Sequence, residues 1–290
     1  MKPTTQLRQL LARDSLLLAP FVYDAFTARI AEDVGFEAIY MGGFVTSMTY
    51  GYPDLGLLTQ TEMVANATRI AQRISAPLIC DADTGYGNAI NVWRTVRLHE
   101  SAGVAGIHIE DQVDPKRCGF FEGKDVIPLD EAVQKVRAAV DARQDPDFVI
   151  IARTDALAVV GWEETVIRCR AFREAGADLI FVDGIRTDND LHTYAKELAD
   201  VPRLLNGDQF AAGDVGKLGF KIQIHRGPMF RSYHWYRSQY QELKDTGQLD
   251  PADYPDTFEL RTKIARLLGK DEIDEMERRY ATNQPEGGSS

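Results

Sequence analysis

Two stretches of the chain, AGVAGIHIED at residues 102–111 and AGADLIFVDG at residues 175–184, decide the fold. Each begins with a glycine, continues into a short apolar run and ends on an acidic residue. A glycine just past a helix end is the usual left-handed cap, and short apolar runs are typical of strands buried on both faces. Similar units occur at residues 34–41 and 218–224. The pattern therefore predicts a helix followed by a buried strand, repeated along the chain.

The complete pattern predicts eight strands with amphipathic helices between them. The strands are predicted at residues 17–24, 37–43, 77–83, 106–111, 148–155, 179–184, 203–208 and 221–226. Strict strand–helix alternation predicts an α/β fold in which a parallel sheet closes into a (β/α)8 TIM barrel. An open doubly wound sheet is the alternative, and it is disfavoured because no glycine-rich dinucleotide motif follows the first strand.

The predicted domain organisation is a barrel with additional C-terminal helices. Residues 1–240 form the catalytic barrel, 241–282 a helical extension of the same domain, and 283–290 a disordered tail. Helices predicted at 228–245 and 257–279 provide more helix than one barrel wall needs. Extra helices often dock on a neighbouring subunit, so we expect a homo-oligomer.

The composition predicts a cytoplasmic enzyme of small molecules. A net charge of -11 argues against a nucleic-acid partner, and no apolar run approaches the roughly 20 residues of a membrane span. The opening MKPTTQLRQLLARDS lacks the apolar core of a signal peptide. An odd, sparse set of cysteines, Cys80, Cys118 and Cys169, indicates a reducing compartment, and we expect Cys80 and Cys169 to be packing residues.

Polar residues follow the predicted strands at the end where a barrel of this type places its chemistry. They are Asp24, Tyr40 with Gly42 and Gly43, Asp81 and Asp83, Glu110 and Asp111, Arg153 and Asp155, Asp183, Asn206 and Asp208, and Arg226. We therefore expect the active site at this mouth of the barrel.

Asp81 and Asp83 are spaced so that both side chains project to the same face of a strand. Two such carboxylates repel one another unless a cation lies between them, and Glu110 could supply a third oxygen ligand. Hard oxygen ligands suit Mg²⁺, with Mn²⁺ as a substitute. The alternative is that the carboxylates cap the helix beginning near Asn88 or pair with an arginine.

Arg153 ends a very apolar strand, where an arginine needs an anionic partner. A substrate carboxylate would be bound in bidentate fashion, and a salt bridge to a neighbouring carboxylate is the alternative. Gly42 and Gly43 expose backbone N–H groups that can hold a carboxylate, although a plain turn is equally compatible with two glycines.

Cys118 lies in the polar segment EDQVDPKRCGFFEGKDVIP, residues 110–128, between cations and a glycine. The adjacent Lys116 and Arg117 would lower the pKa of the thiol from about 8.5 toward neutrality, which suits general acid–base work. Nucleophilic attack is the other option, but no histidine lies close in sequence to serve as its base. His108 fits a core position.

Four motifs together resemble the isocitrate lyase/phosphoenolpyruvate mutase superfamily. They are DADTGYG (81–87), IHIEDQ (107–112), PKRCG (115–119) and IARTDA (151–156), in this order and at these strand ends. The similarity extends from about residue 5 to residue 235 and is strongest to the 2-methylisocitrate lyase-like and dimethylmalate lyase-like branch.

The resemblance implies a barrel whose last helix is exchanged with a partner, giving dimers of dimers. It also implies Mg²⁺ held near Asp83, with Asp81 and Glu110 acting partly through water. The implied substrates are 2-hydroxy or 2-keto dicarboxylates, bound by the metal, the Gly42 and Gly43 amides and Arg153.

The implied reaction is a retro-aldol or retro-Claisen type cleavage of the C2–C3 bond, and Cys118 protonates the enolate-like product. Tyr40 or a metal-linked group is the candidate base. Asp54 matches an active-site aspartate, Lys116 is assigned to the catalytic set and Asn206 to substrate binding. The loop closes over the site and excludes water.

Three departures from the superfamily pattern predict a smaller or more apolar substrate, such as an alkylmalate. Phe120 stands where the loop usually has histidine, Asp183 replaces a glutamate, and the usual serine position falls at Met41 or Gly42. The alternatives are an oxaloacetate decarboxylase or hydrolase, a phosphonomutase-like enzyme, and an inactive dicarboxylate-binding barrel. Cys118 favours carbon–carbon cleavage.

Overall fold

The computed structural model describes residues 1–119, 121–250 and 257–281. Eight strands in these ranges form a closed parallel barrel in the order β1 to β8, which confirms the predicted fold. The strands are β1 Leu17–Val22, β2 Ile39–Met41, β3 Leu78–Asp81, β4 Gly106–Glu110, β5 Val149–Thr154, β6 Leu179–Val182, β7 Arg203–Asn206 and β8 Ile222–His225. Each lies within its predicted range.

Helices surround and extend the barrel. They are α1 Pro3–Leu11, α2 Ala25–Val34, α3 Gly43–Thr49, α4 Gln60–Ala71, α5 Ala89–Ser101, α6 Leu129–Ala142, α7 Leu157–Val160, α8 Trp162–Glu174, α9 Asp188–Glu197, α10 Ala212–Lys217, α11 Gly227–Thr246, α12 Thr257–Leu267 and α13 Lys270–Tyr280.

Local sequence signals fix where several of these helices begin. Asp24, Thr59, Asn88 and Thr187 each form a capping box at the start of a helix, in which the side chain accepts from the third helical residue. Such caps stabilise a helix by about 1 kcal/mol, because they satisfy N–H groups that have no partner within the helix. The caps therefore set the length of the loops at the barrel mouth.

The barrel interior is packed rather than hollow. Side chains from the strands, including Tyr40, Ile151, Phe181 and Leu204, fill it as one buried apolar cluster. Separate clusters lie between the strands and the outer helices. Fully burying a large apolar side chain contributes about 1.5–3 kcal/mol, so this interior holds the strand ends, and the polar residues on them, at fixed positions.

The chain divides into two compact units, residues 1–233 and 234–290. The prediction of one helix over 257–279 is wrong, because Gly269 adopts a left-handed conformation with φ 93° and separates α12 from α13. The predicted boundaries at 240 and 282 stay predictions, and the predicted disordered tail lies outside the described residues. In the part of the chain that the structure describes, every helix is too short or too polar to span a bilayer.

Candidate active site

A cavity of about 60 Å³ lies at the carboxyl ends of the strands. It is lined by Phe21, Tyr40, Gly43, Phe44, Asp54, Asp81, Lys116, Cys118, Gly119, Arg153, Asp183, Asn206, Arg226 and Phe230. Most of the predicted site residues are thus brought together. Asp83, Glu110 and Gly42 lie next to this lining but not in it, and Phe120 lies outside the described residues. A space of this size holds only a few water molecules, so the loop that carries Cys118 is closed over the site.

An acidic cluster, made of Asp54, Asp81, Asp83 and Glu110 around Lys116, occupies one side of this mouth. The Lys116 ammonium lies 2.5 Å from Asp54 Oδ1 and 2.8 Å from Asp83 Oδ1, and its side chain is only 5% exposed. Burial lowers the pKa of Lys116, but the four carboxylates outweigh burial and hold the pKa well above its ordinary value. Lys116 therefore stays charged and ties its loop to the strand ends.

The carboxylates of this cluster have different ionisation behaviour. Burial, reinforced by the charges of Asp81 and Asp54, raises the pKa of Asp83 to about 6 against the opposing charge of Lys116. Burial also raises the pKa of Glu110 well above its ordinary value. For Asp81, burial is outweighed by His108, Lys116 and Arg153, so its pKa lies below the ordinary value. Four acidic groups thus share one ammonium, and the cluster favours additional positive charge.

The turn after β3 positions Asp81 through backbone N–H groups. Gly43 N donates to Asp81 Oδ2 at 2.9 Å, and Asp83 N donates to Asp81 Oδ1 at 2.9 Å. A Cβ at residue 43 would lie 2.8 Å from Asp81 Oδ2, so only glycine allows this approach. Asp83 itself has φ 46°, a strained conformation of the kind that collects at functional sites. The amide of Gly43, predicted to hold a substrate carboxylate, here holds Asp81.

Metal binding by Asp81, Asp83 and Glu110 stays a prediction. Across the described ranges, no three His, Cys, Asp or Glu side chains stand close enough together to form a metal site. Asn88 caps α5 with its own side chain, so capping by the carboxylates, the alternative from the sequence, is not what the structure shows. The other alternative, pairing with a cation, is present in the contact of Asp83 with Lys116.

Tyr40 and His108 form a buried pair beneath the cavity. The Tyr40 hydroxyl lies 2.6 Å from His108 Nε2, and the same ring nitrogen lies 3.5 Å from Asp81 Oδ1. Burial lowers the pKa of His108 to about 4, and burial together with Asp81 raises the pKa of Tyr40 well above 10. Both groups are therefore neutral near pH 7, and Tyr40 carries its proton.

Arg153 lies among three carboxylates on the neighbouring strand ends. Its guanidinium donates to both oxygens of Asp155, at 2.8 and 3.1 Å, and lies 3.2 Å from Glu110 Oε2 and 3.6 Å from Asp183 Oδ2. The salt bridge that the sequence left as an alternative is thus present. Substrate binding by Arg153 stays a prediction.

The Cys118 loop, residues 111–128, is held against the barrel at several points. Cys118 N donates to Asp54 O at 3.1 Å. Lys124 Nζ donates to Gly119 O at 3.0 Å and to Asp155 Oδ1 at 3.0 Å. A Cβ at Gly119 would lie 2.0 Å from Asp183 Oδ2, so the loop backbone approaches that carboxylate as closely as a glycine allows. These contacts place the half-buried Cys118 in the cavity lining.

The opposite side of the cavity, the aromatic side, consists of Phe21, Phe44, Phe230 and Arg226 and was not predicted. The rings of Phe44 and Phe230 lie 6.2 Å apart, and the Arg226 guanidinium lies 5.6 Å from the Phe230 ring centroid. Arg226 was visible in the sequence as a polar strand end but received no role. The phenylalanines gave no signal, because isolated apolar residues near strand ends are indistinguishable from core.

Lys124 was also missed by the sequence reasoning. It lies six residues beyond Cys118 in the same polar loop, where a lysine is most often solvated. In the structure its side chain is only 4% exposed and pairs with Asp155. Burial of a charged loop residue depends on carboxylates from two other strands, which the local sequence does not reveal.

Residues 7–243 match the family model described as phosphoenolpyruvate phosphomutase. The chain is 38% identical to 2,3-dimethylmalate lyase of Eubacterium barkeri over 98% of this chain and 100% of that protein. It is 42% identical to 2-methylisocitrate lyase of Shewanella oneidensis over 93% of this chain and 95% of that protein.

Two solved structures resemble the chain along nearly its whole length. Oxaloacetate acetylhydrolase in complex with the inhibitor 3,3-difluorooxalacetate has a TM-score of 0.89 and 36% identity, with 96% of both chains covered. Phosphonopyruvate hydrolase in complex with oxalate and Mg²⁺ has a TM-score of 0.88 and 31% identity, with 97% of this chain and 99% of that chain covered.

Proposed function

Because the chain belongs to the PEP mutase/isocitrate lyase superfamily and is a carbon–carbon lyase, we propose that it cleaves an alkyl-substituted 2-hydroxydicarboxylate with the help of Mg²⁺. The observation that carries this proposal is the placement of Cys118. Its loop is closed over the barrel mouth, so a thiol, an acidic cluster and an apolar wall line one small cavity. A proton donor, a site for a cation and room for an alkyl group are the parts such a cleavage needs.

The acidic cluster fits a divalent cation by its chemistry. Both carboxylate oxygens of Glu110 are buried and accept no hydrogen bond from any described residue, which is costly for a carboxylate unless a cation compensates it. Asp81, Asp83 and Glu110 would hold the ion, and such hard oxygen ligands suit Mg²⁺, with Mn²⁺ as a substitute. When bound, Mg²⁺ supplies stabilisation of the negative charge that develops on the 2-oxygen of the substrate.

The protein's own residues carry the rest of the proposed reaction. The 2-hydroxyl loses its proton, the C2–C3 bond breaks, and its electron pair passes to C3 next to the second carboxylate. Cys118 Sγ–H then gives its proton to C3, which yields a 2-oxoacid and a saturated carboxylic acid. The closed loop excludes water, which would otherwise quench the carbanion without control.

Tyr40, predicted as a candidate base, is better suited to positioning the 2-oxygen. Because burial raises the pKa of Tyr40 well above 10, its hydroxyl keeps its proton at neutral pH. A protonated hydroxyl donates a hydrogen bond and cannot accept the proton of the substrate. We therefore propose that Tyr40 orients the substrate oxygen while His108 fixes the direction of the phenol.

A substrate panel tests the proposal. Alkylmalates including 2,3-dimethylmalate, together with 2-methylisocitrate, isocitrate and oxaloacetate, are incubated with the protein in Mg²⁺ and in EDTA, and the released 2-oxoacid is measured. We expect Mg²⁺-dependent cleavage of an alkylmalate, with the smaller activity on the tricarboxylates. Efficient cleavage of 2-methylisocitrate without turnover of any alkylmalate would show that the substrate assignment is wrong.

Hydrolysis of oxaloacetate is a second candidate, supported by the likeness to oxaloacetate acetylhydrolase. The same panel separates the two functions, because hydrolysis of oxaloacetate releases acetate and oxalate, whereas cleavage of 2,3-dimethylmalate releases pyruvate and propionate. Carbon dioxide would instead indicate a decarboxylase.

We also propose a homo-oligomer, a dimer of dimers with an exchanged helix. In support, residues of β1, α2 and the start of α11 line an apolar groove of about 300 Å³, along which Ile30 is 41% and Val34 71% exposed. Trp235 and Tyr240 on α11 are 57% and 67% exposed, which is unusual for isolated aromatic residues. Light scattering tests the assembly: Val34→Asp should lower the molar mass, and a monomeric unaltered protein would contradict the proposal.

A further inference from the structure

Arg226 is the charged residue of the aromatic side, and neither the sequence reasoning nor the reaction above gives it a role. We propose that Arg226 determines specificity by binding the second carboxylate of the substrate, the one remote from the 2-hydroxyl. This inference rests on the proposed function and extends it by naming the residue that distinguishes dicarboxylates from monocarboxylates.

Arg226 is placed at the far side of the cavity from the acidic cluster. It directly follows β8, lines the cavity and is 8% exposed. In a closed barrel with the strand order β1 to β8, strand β8 lies opposite β4, which ends at Glu110. A substrate whose 2-oxygen lies at the acidic cluster therefore extends its other end toward Arg226.

The other arginine of the cavity is already compensated. Arg153 pairs with both oxygens of Asp155 and lies within 3.6 Å of Asp183 and 3.2 Å of Glu110. Three carboxylates leave this side of the cavity without net positive charge. A second substrate carboxylate placed beside Arg153 would approach Asp155 and Asp183 and be repelled by them.

Arg226 is held in one orientation by groups outside the cavity lining. Asp208 accepts from Arg226 Nε at 3.0 Å and from its backbone N at 3.3 Å, and the guanidinium lies over the Phe230 ring. The pair with Asp208 engages Nε, whereas a carboxylate in the cavity would be bound in bidentate fashion through the terminal nitrogens. A fixed guanidinium loses little side-chain entropy on binding, so more of the interaction appears as affinity.

The surroundings of Arg226 strengthen such a contact. Phe21, Phe44 and Phe230 exclude water from this side, and electrostatic interactions are stronger in a medium of low polarity. Asn206, on the neighbouring strand β7, lines the same part of the cavity and brings a side-chain amide. The preferred substrate is therefore a dicarboxylate with its second carboxylate at Arg226 and an alkyl group against the phenylalanines.

Two inhibitors of different length test this assignment. Oxalate occupies the metal end alone, whereas 3,3-difluorooxaloacetate also carries a remote carboxylate. Calorimetric titration in Mg²⁺ compares both ligands on the unaltered protein and on Arg226→Gln. We expect Arg226→Gln to weaken 3,3-difluorooxaloacetate about 10- to 100-fold, the size of one lost charged hydrogen-bond pair, and to change oxalate affinity less than about twofold.

Arg231→Gln is the matched control, because Arg231 is an exposed arginine on α11 outside the cavity lining. It should leave both affinities unchanged. If Arg226→Gln does not fold, Arg226→Lys keeps a positive charge beside Asp208 but loses bidentate geometry, and it should weaken the longer ligand about fivefold or more. The lysine variant should also raise KM more than it lowers kcat.

Equal weakening of both ligands by Arg226→Gln or Arg226→Lys would show a merely structural role, and unchanged affinity for 3,3-difluorooxaloacetate in both variants would show no role. Either result overturns the inference and leaves the proposed function standing. Failure of the unaltered protein to bind either ligand in Mg²⁺ would instead overturn the proposed function, and the inference with it.

Discussion

The acidic cluster and the aromatic side face one another across the same cavity, yet they differ in how their charges are balanced. In the acidic cluster, four carboxylates surround the single ammonium of Lys116. On the aromatic side, one guanidinium pairs with Asp208 and lies among phenylalanine rings. The first arrangement has negative charge in excess, whereas the second has its charge matched.

This difference indicates a division of work between bond breaking and recognition. Excess buried carboxylates cost stability without a cation, and such strain is typical of sites that perform chemistry. A charge held by one partner in apolar surroundings is suited to reading the shape and charge of a ligand. Cys118 lies between the two sides, at the position where the broken bond would lie.

The largest effect is expected at Cys118, which belongs to neither side. Cys118→Ser should lower kcat for carbon–carbon cleavage by about 10²- to 10⁴-fold, since it removes the proton donor. Decarboxylation of oxaloacetate, if present, should change little. The variant is assayed by release of the 2-oxoacid.

Cys169→Ala is the matched control for this substitution. Cys169 is fully buried in the apolar cluster between the outer helices and the barrel, so its loss should change stability but leave kcat unaltered. A Cys118→Ser enzyme with nearly full cleavage activity would contradict the proposed mechanism.

Asp83→Asn tests the excess charge of the acidic cluster. We expect activity to fall about 100-fold, because Mg²⁺ loses a carboxylate ligand. In EDTA, the melting temperature should rise by about 2–4 °C for each kcal/mol recovered, since the substitution removes a buried carboxylate repelled by its neighbours. Calorimetry with Mg²⁺ and thermal unfolding measure the two effects.

Asp214→Asn serves as the exposed comparison, because Asp214 pairs with Lys217 on the surface of α10. It should alter neither activity nor unfolding beyond about 0.5 kcal/mol. A lower melting temperature of Asp83→Asn in EDTA would show that the acidic cluster is stabilising without a metal, and the contrast drawn above would fail.

Lys124→Met tests how the loop closes over both sides. Lys124 bridges Gly119 of the loop and Asp155 of the barrel, and we expect its loss to lower kcat/KM about tenfold. The Cys118 thiol should react faster with iodoacetamide, because the loop opens more often. Lys217→Met, at an exposed lysine, is the control. Unchanged thiol reactivity would show that Lys124 does not hold the loop closed.

Phe230→Leu should produce the smallest effect, confined to substrate choice. We expect the kcat/KM ratio of 2,3-dimethylmalate over 2-methylmalate to fall about threefold, because one methyl contact in an apolar pocket is worth about 1 kcal/mol. Phe26→Leu changes an exposed phenylalanine of α2 and should leave the ratio as it is. An increase in the ratio would place the alkyl group elsewhere.

The sequence by itself determined the barrel and the position of its chemistry. Alternating helical and buried-strand patterns specify parallel strands, and closed parallel strands must end at one mouth, so Asp81, Glu110 and Arg153 had to converge there. The charged loop around Cys118 was equally readable, because local composition distinguishes a functional loop from a core strand.

Only the tertiary structure decided which charges meet and which side chains face the substrate. Lys116 lies between Asp54 and Asp83, Arg153 is taken up by Asp155, and the amide of Gly43 holds Asp81. The aromatic side joins residues of β1, α3 and α11 that are far apart in the chain. Contacts of this kind depend on packing across the whole barrel, and local periodicity carries no information about them.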